Sequence, residues 1–363
     1  MRVMLIAGCF PPTPCGVGDY AEKLANALNT HEHVQIGVLT KITAKTGTSH
    51  FTRYDLFDVI SGWTLSECQR IITVIKNYKP DIVHIQYPSQ AFYGRPVALF
   101  LPILLRVLGN KVVLTWHEPY GYRKTVLFFL LLLGAHGLIF VRPNFLKLSP
   151  RFFESILSKY KNTIIPNASA IPASQLCPTE REKLRAECLG KQKRLIAFFG
   201  FVYPKKGIEH LFEIADPETD MLIIIGATPN QEYVAKLTAT AVTKGWTDQQ
   251  VRFTGYADSE RTANLLFSAD AVVLPFLDGG GDWNTSIHSA VTQGTLVITT
   301  SLNALGYDEN TNVYNSRPFD ISGMRNALNE LSGRRINQQH SDSNWQNIAR
   351  KHSSFYAYFY PKR

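Results

Sequence analysis

Short β-branched apolar runs alternate along the chain with longer stretches whose apolar residues fall at helical spacing. In the first half the runs at 2–7, 34–39, 81–86, 111–116, 137–141 and 162–165 read as strands. In the second half those at 195–200, 221–226, 251–254, 271–274 and 296–300 do the same. Strands separated by helix-length segments predict βαβ units and parallel sheets. Their near-continuous Val, Ile and Leu content predicts helices on both sheet faces. The series breaks at 166–193, where Pro166, Pro172 and Pro178 precede a charged, helix-like patch. The pattern predicts two doubly wound α/β domains facing each other across a cleft: residues 1–170, a linker at 171–192, residues 193–342, and a C-terminal helix in 343–363.

One stretch, 126–141 (VLFFLLLLGAHGLIFV), is apolar over 16 residues. A spanning helix needs about 20, and Gly134, His136 and Gly137 punctuate this one, so it reads as helix–turn–strand inside the first domain. The apolar 97–108 is shorter still and contains Pro102 and Arg106. No transmembrane span is predicted.

The total of 363 residues suits two domains at about 150 residues each. Apolar residues at 45% and charged residues at 18% exclude a disordered chain. The five cysteines (Cys9, Cys15, Cys68, Cys177, Cys188) form no C-x-x-C pair, which excludes zinc ribbons and disulfide scaffolds and predicts free thiols in a reducing compartment. MRVMLIAGCFPPTP has one Arg and a short apolar run before prolines, so a first buried strand is expected and not a signal peptide. The net charge of +9 is uneven. Residues 1–172 carry 18 basic and 9 acidic side chains, and residues 173–363 carry 20 of each. A basic half suits an anionic partner or a solvated face. No nucleic-acid module accompanies it, so no nucleic-acid partner is expected. Two apolar helices within that half leave room for reversible docking on anionic lipid.

Candidate chemistry lies at strand ends. Gly16, Gly18 and Ala21 match G-x-G-x-x-A, but eight residues with three prolines separate Ala7 from Gly16, and strand 34–39 ends without a carboxylate. NAD binding is therefore excluded. What remains is a glycine loop before a helix, where backbone N–H groups can approach a phosphate. His117 follows strand KVVLTW at the position where open α/β sheets place ligands, and can bond a hydroxyl or offset developing charge. His84 and His136 read as structural. Gly200 ends a strand, and Lys206-Gly207 begin a helix, where a diphosphate would reconcile the lysine with the helix dipole. After Gly279-Gly280-Gly281, the run Asn284-Thr285-Ser286 opens another helix. Those side chains either cap it or form, with its amides, a phosphate pocket. There is no Walker lysine. Asp278 and Asp282 form no Asp-x-Asp pair, so no metal site is expected.

Together these segments resemble the GT-B glycosyltransferases, most closely the retaining family 4 type, over nearly the whole chain. CFPPTPCGVGDYAEKLANAL is similar to the family's glycine loop, which implies donor-diphosphate contacts at Gly16 and Gly18 and an acceptor side at Asp19 and Tyr20. VVLTWHEP implies that His117 faces the transferred sugar, and IIPNA places Asn167 at the end of the first domain. FFGFVYPKKGIEHL implies diphosphate binding by Lys206. FTGYADSERTANLLFSADAVVLPF implies a base pocket around Gly255 and Tyr256. The family also implies a Rossmann-like acceptor domain, a nucleotide-sugar domain, and a C-terminal helix SNWQNIARKHSSFYAYFY returning to the first. Three departures stand out. Phe201 replaces the family's arginine, and Gly281 and Ser289 replace the two glutamates of its E-x7-E element.

The resemblance implies transfer of a sugar from a nucleotide-diphosphate sugar, a UDP-sugar by expectation, to a hydroxyl acceptor with retention. His117 and Lys206 would be the catalytic pair, and Asn284, Thr285 and Ser286 would share the diphosphate. It implies no metal and no other cofactor, a saccharide or lipid-linked acceptor, and a role in polysaccharide or lipid-linked glycan assembly. The expected location is the cytoplasm, with room for a peripheral place on the inner face of the membrane. A weak or inactive nucleotide-sugar binder and a GT-B nucleotide-sugar epimerase remain the alternatives.

Overall fold

The computed structural model describes the chain except residues 32, 43–53, 94, 119–128, 144, 149–150, 339–340 and 361–363. The chain divides into two units. Unit 1 is Met1–Asn167 with Ser343–Arg363, and unit 2 is Ala168–Asp342.

Unit 1 holds β1 (Arg2–Ile6), β2 (Gln35–Lys41), β3 (Asp55–Ile60), β4 (Ile82–Tyr87), β5 (Lys111–Trp116), β6 (Gly137–Phe140) and β7 (Lys161–Ile164). They pair in the order β3-β2-β1-β4-β5-β6-β7, every pair parallel. The chain winds one way from β1 to β3 and the other way from β4, so the order reverses between β1 and β4. The doubly wound expectation is realised. β3 is a strand the sequence pattern passes over, because DLFDVI is an edge strand with two exposed positions and lacks a continuous apolar run. In 126–141, residues 126–128 lie outside the described residues. Beyond them Phe129–Gly134 is helical and turns into β6.

Unit 2 holds β8 (Arg194–Phe199), β9 (Asp220–Ile225), β10 (Val251–Gly255), β11 (Ala271–Leu274), β12 (Val297–Thr300), β13 (Gly306–Asp308) and β14 (Val313–Ser316), in the order β10-β9-β8-β11-β12-β14-β13. All pairs are parallel except β13 with β14. The polar GYD and VYNS of β13 and β14 escape the apolar pattern for the same edge-strand reason. Here the order reverses between β8 and β11. Central residues such as Ile196, Phe198, Val272 and Ile298 are at most 1% exposed, and each stabilises the unit by about 1.5–3 kcal/mol.

Two expectations need correction. The linker at 171–192 is part of unit 2. Its helix Pro178–Leu189 buries Cys188 and Leu189 in the core, and Arg185 forms a forked ion pair with Asp270 at 2.8–3.2 Å. Few of its residues are buried, so it reads as a polar connector. Second, Cys9 and Cys15 are joined in a disulfide with Cα atoms 6.6 Å apart, whereas Cys68, Cys177 and Cys188 are free. Pro11, Pro12 and Pro14 turn the intervening loop back until the two Cα atoms are within bridging reach.

Candidate functional site

In open α/β sheets ligands bind beyond the carboxyl ends of the strands, where strand order reverses. In unit 2 that point lies between β8 and β11, and the loops leaving these two strands carry Lys206, Asn284, Thr285 and Ser286. Gly200, just after β8, has φ +141°, and a Cβ there would lie 3.1 Å from Ser286 Oγ. Lys206 ends the 3-10 turn Pro204–Lys206. Gly207, at φ +66°, lets the chain pass so close to Pro275 that a Cβ would sit 2.2 Å from its carbonyl oxygen. The Lys206 ammonium lies 4.7 Å from the centre of the Phe276 ring. The expected helix start at Lys206-Gly207 is corrected. Only a 3-10 turn and the four-residue helix Leu211–Ile214 follow, so contact with the β11 loop, and not a helix dipole, positions the lysine.

The β11 loop is tied to β12 by a bond from Gly280 N–H to Thr300 O (2.6 Å). It leads into the helix Thr285–Thr292. Asn284 stands at the N-cap but makes no side-chain cap. Its Oδ1 accepts from Gly281 N–H at 3.0 Å, outside the helix. The capping alternative is therefore not what the structure shows, and the first-turn amides keep their partial positive charge for a ligand. Both positions that lack the family's glutamates are closely packed. A Cβ on Gly281 would fall 2.3 Å from the Trp283 ring. Ser289 is fully buried and donates to Thr285 O at 2.7 Å.

Towards the sheet edge, three strands in a row end in glycine. Gly200 N–H donates to Ile225 O, and Gly226 N–H donates to Gly255 O (3.1 Å). Gly226 packs so tightly that a Cβ would meet Gly200 O at 2.1 Å. Gly255 has open space beside it, and Tyr256 is 58% exposed. Sequence reasoning missed Gly226 and Phe276. The repeated strand-then-glycine pattern in FFGF, IIGA and FTGY was the available signal for the first. A cavity of about 530 Å³ lined by Leu184, Cys188, Arg252, Arg261 and Leu265 includes none of these candidates.

In unit 1 the reversal lies between β1 and β4. The loop after β1 leads into the helix Gly16–Asn29, which has no side-chain cap. Gly18 is required there, since a Cβ would lie 2.8 Å from Cys9 O, while Gly16 faces open space. Burial, with Glu22 beside it, pushes the Asp19 carboxyl up to about 7. Tyr20 is corrected. It is 2% exposed, its ring packs edge-on against His117 at 4.8 Å, and its hydroxyl is 3.3 Å from His352 Nε2, so it backs the histidine and does not reach an acceptor.

His117 lies just beyond β5, 7% exposed, with its backbone N–H donating to Tyr87 O. Burial, with His352 nearby, lowers its pKa to about 3. The ring is neutral at pH 7, so of the two roles expected for it the structure favours the hydrogen bond to a hydroxyl. Nε2 lies 2.9 Å from Gln86 Oε1. Behind it a buried polar cluster joins Gln86, His84, Thr115, His352 and Tyr356. Sequence reasoning set His84 aside as structural and missed Gln86, His352 and Tyr356. The alternating polar positions of IVHIQY were the visible sign. Among the described residues, no group of three or more His, Cys, Asp or Glu could hold a metal ion.

No family model and no curated protein matches the sequence. Solved structures do match in fold. Sucrose-phosphate synthase from Thermosynechococcus elongatus superposes with a TM-score of 0.76 at 15% identity, over 99% of both chains. A glycosyltransferase from Rickettsia africae gives 0.69 at 13% identity, over 100% of this chain and 99% of the other. HepE from Anabaena, solved with UDP and glucose, gives 0.67 at 14%, over 99% and 98%. The chain has the GT-B fold, with its two Rossmann-like units.

Proposed function

We propose that this chain transfers a sugar from a nucleotide-diphosphate sugar to a hydroxyl acceptor with retention at the anomeric carbon. The observation that carries the reading is the β8/β11 strand reversal, whose loops carry Lys206 and the amides of Thr285 and Ser286, which no side chain caps. As the glycosidic bond breaks, charge builds on the departing diphosphate, and fixed cations and dipoles aimed at that charge lower the barrier most. The acceptor hydroxyl attacks from the face the diphosphate leaves, and its proton passes to a phosphate oxygen. Gly255 and Tyr256 take the base. Gly16, Gly18 and Asn284 add contacts to the diphosphate, His117 faces the transferred sugar, and Asp19 lies on the acceptor side. The ammonium and amides do what a divalent ion would otherwise do, so the reaction needs neither metal nor other cofactor. HepE was solved with UDP-glucose, which favours a UDP-sugar here.

Calorimetric titration with UDP-, GDP- and ADP-sugars in EDTA is expected to give heat with a UDP-sugar. Absence of heat with every donor refutes the proposal. Replacement of the E-x7-E glutamates by Gly281 and the buried Ser289 supports a second reading, a binder with little turnover. Release of free sugar from the bound donor separates the two.

We also propose a saccharide or lipid-linked acceptor in polysaccharide or lipid-linked glycan assembly, with the protein in the cytoplasm and peripheral on the inner face of the membrane. No helix among the described residues is long and apolar enough to cross a bilayer. The helices Pro96–Val107 and Phe129–Gly134 pack together and leave Phe100, Val107, Phe129 and Leu133 exposed. Residues 82–153 carry eight Lys or Arg and one Glu. Exposed apolar side chains in a cation-rich stretch of sequence suit an anionic lipid surface. Flotation is expected with vesicles containing phosphatidylglycerol, to be weak with phosphatidylcholine alone, and to fall at least tenfold in a Phe100→Glu, Leu133→Glu double variant. Equal flotation of variant and parent would remove the lipid surface from the proposal.

A further inference from the structure

The polar cluster behind His117 fixes more than its position. Gln86 and His84 stand two apart on β4 and are both fully buried. The Gln86 amide nitrogen is 3.2 and 3.4 Å from the two ring nitrogens of His84, a near-equal spacing reached only from above the ring. His84 is neutral, because burial and its histidine neighbours hold its pKa well below the usual value. In the ring plane its nitrogens are engaged by the hydroxyls of Tyr356 (2.6 Å) and Thr115 (2.7 Å). An amide N–H directed at the face of a neutral ring is favourable, whereas a carbonyl oxygen there would meet the electron-rich face. The amide orientation follows: NH2 over His84, and Oε1 towards His117.

We infer that Gln86 is a positioning residue that holds His117 as the Nε2–H tautomer, so that Nδ1 is left as the hydrogen-bond acceptor for a substrate hydroxyl. A neutral imidazole has one donor and one acceptor nitrogen, and the bond made by one decides the role of the other. Oε1 can only accept, so the proton sits on Nε2. No described hydrogen bond reaches Nδ1. The hydroxyl it would receive belongs to the transferred sugar or the acceptor, which rests on the sugar-transfer reading; the tautomer itself does not. The C-terminal helix Ser341–Ala357 supports the arrangement from behind, where Tyr356 engages His84. His352 Nδ1 donates to Ile348 O, so its Nε2 accepts from the Tyr20 hydroxyl, which keeps Tyr20 against the His117 ring.

Nitrogen-15 spectra of the histidine rings in the full chain at pH 7 provide the test, with His117→Asn identifying the signal. Parent protein is expected to show His117 protonated at Nε2 with an unprotonated Nδ1. Gln86→Met, which removes the acceptor, is expected to give a mixture of tautomers and to lower kcat about 10- to 100-fold, the scale of a misplaced group, with KM for the donor within about threefold. Gln86→Glu keeps an acceptor for Nε2 but sets its second oxygen over the His84 face, so it is expected to restore the tautomer and only part of kcat. Its carboxylate also favours the imidazolium, adding an acidic limb to the pH–rate profile that a merely structural role would not produce. An Nδ1–H tautomer in the parent overturns the assignment even if no variant folds, and so does a Gln86→Met protein with parental kcat and tautomer. Failure to turn over any donor would strike the transfer reading alone, because the ring spectra decide the tautomer without it.

Discussion

Lys206→Ala is expected to lower the rate of sugar transfer by about 10²- to 10³-fold, the loss seen when one group stabilising transition-state charge is removed. Donor affinity is expected to fall less, by about tenfold, because the bound diphosphate already carries charge but gains more as the glycosidic bond breaks. Two features make the effect large. Phe201 stands after Gly200 where the resemblance implies an arginine, so that second cation is absent. The ammonium is also held at a fixed place, 4.7 Å from the Phe276 ring centre and on a loop that Gly207 packs against Pro275. A charge already in place loses nothing to reorganisation during the reaction. Losing the cation–π contact itself costs about 0.5–1 kcal/mol of stability, so the variant should remain folded. Lys206→Arg keeps the charge with a different shape and is expected to recover part of the rate. Initial rates of transfer and of donor hydrolysis, measured side by side, give the comparison. An alanine variant working at the parental rate would show that the charge is stabilised elsewhere.

The strands that build both reversal points were legible because they are buried on both faces, and burial leaves an uninterrupted apolar run. Edge strands were not: β3, β13 and β14 face solvent along part of their length and read like loops. The helix Pro178–Leu189 was misread for a related reason, since an otherwise polar helix anchored by Cys188, Leu189 and one Arg185–Asp270 pair looks like a connector. In the site, the glycines and Lys206 could be found because strand ends are marked locally. What a side chain does there depends on partners far away in sequence. Asn284 looks like a cap in the run NTS and turns out to bond Gly281 N–H. Tyr20 looks accessible in GVGDY and turns out to lie beneath His117, against a helix more than three hundred residues later. The Cys9–Cys15 pair likewise depends on how three prolines fold a loop.

The same buried cluster predicts that unit 1 loses stability in mild acid. His84, His117 and His352 are the chain's three buried histidines among the described residues, and all lie in unit 1. Burial lowers all three pKa values, to about 3 for His117 and about 4 for His352. In the unfolded chain each titrates near 6.5. A lowered folded pKa means stability that is complete above 6.5 and is lost as pH falls towards the folded value, because only the unfolded chain takes up the proton. Each histidine then contributes a slope of about 1.4 kcal/mol per pH unit. Asp19 acts in the opposite sense. Its carboxyl is raised to about 7, so the folded state takes up that proton first, and stability rises as pH falls from 7 towards 4. His136, also in unit 1, is lowered by burial with Arg106 and Lys111 nearby and adds to the histidines' side, so the uptake of protons by the unfolded chain outweighs Asp19 and the net effect is loss of stability in mild acid. Urea unfolding across this range, with hydrogen exchange to separate the units, is expected to show unit 1 opening before unit 2. His352→Gln should make the slope shallower by about one proton. A flat profile, or a slope the variant leaves unchanged, would mean that these rings are not held neutral in the folded protein. It would also remove the support for a neutral His117 that offers a lone pair to a substrate hydroxyl.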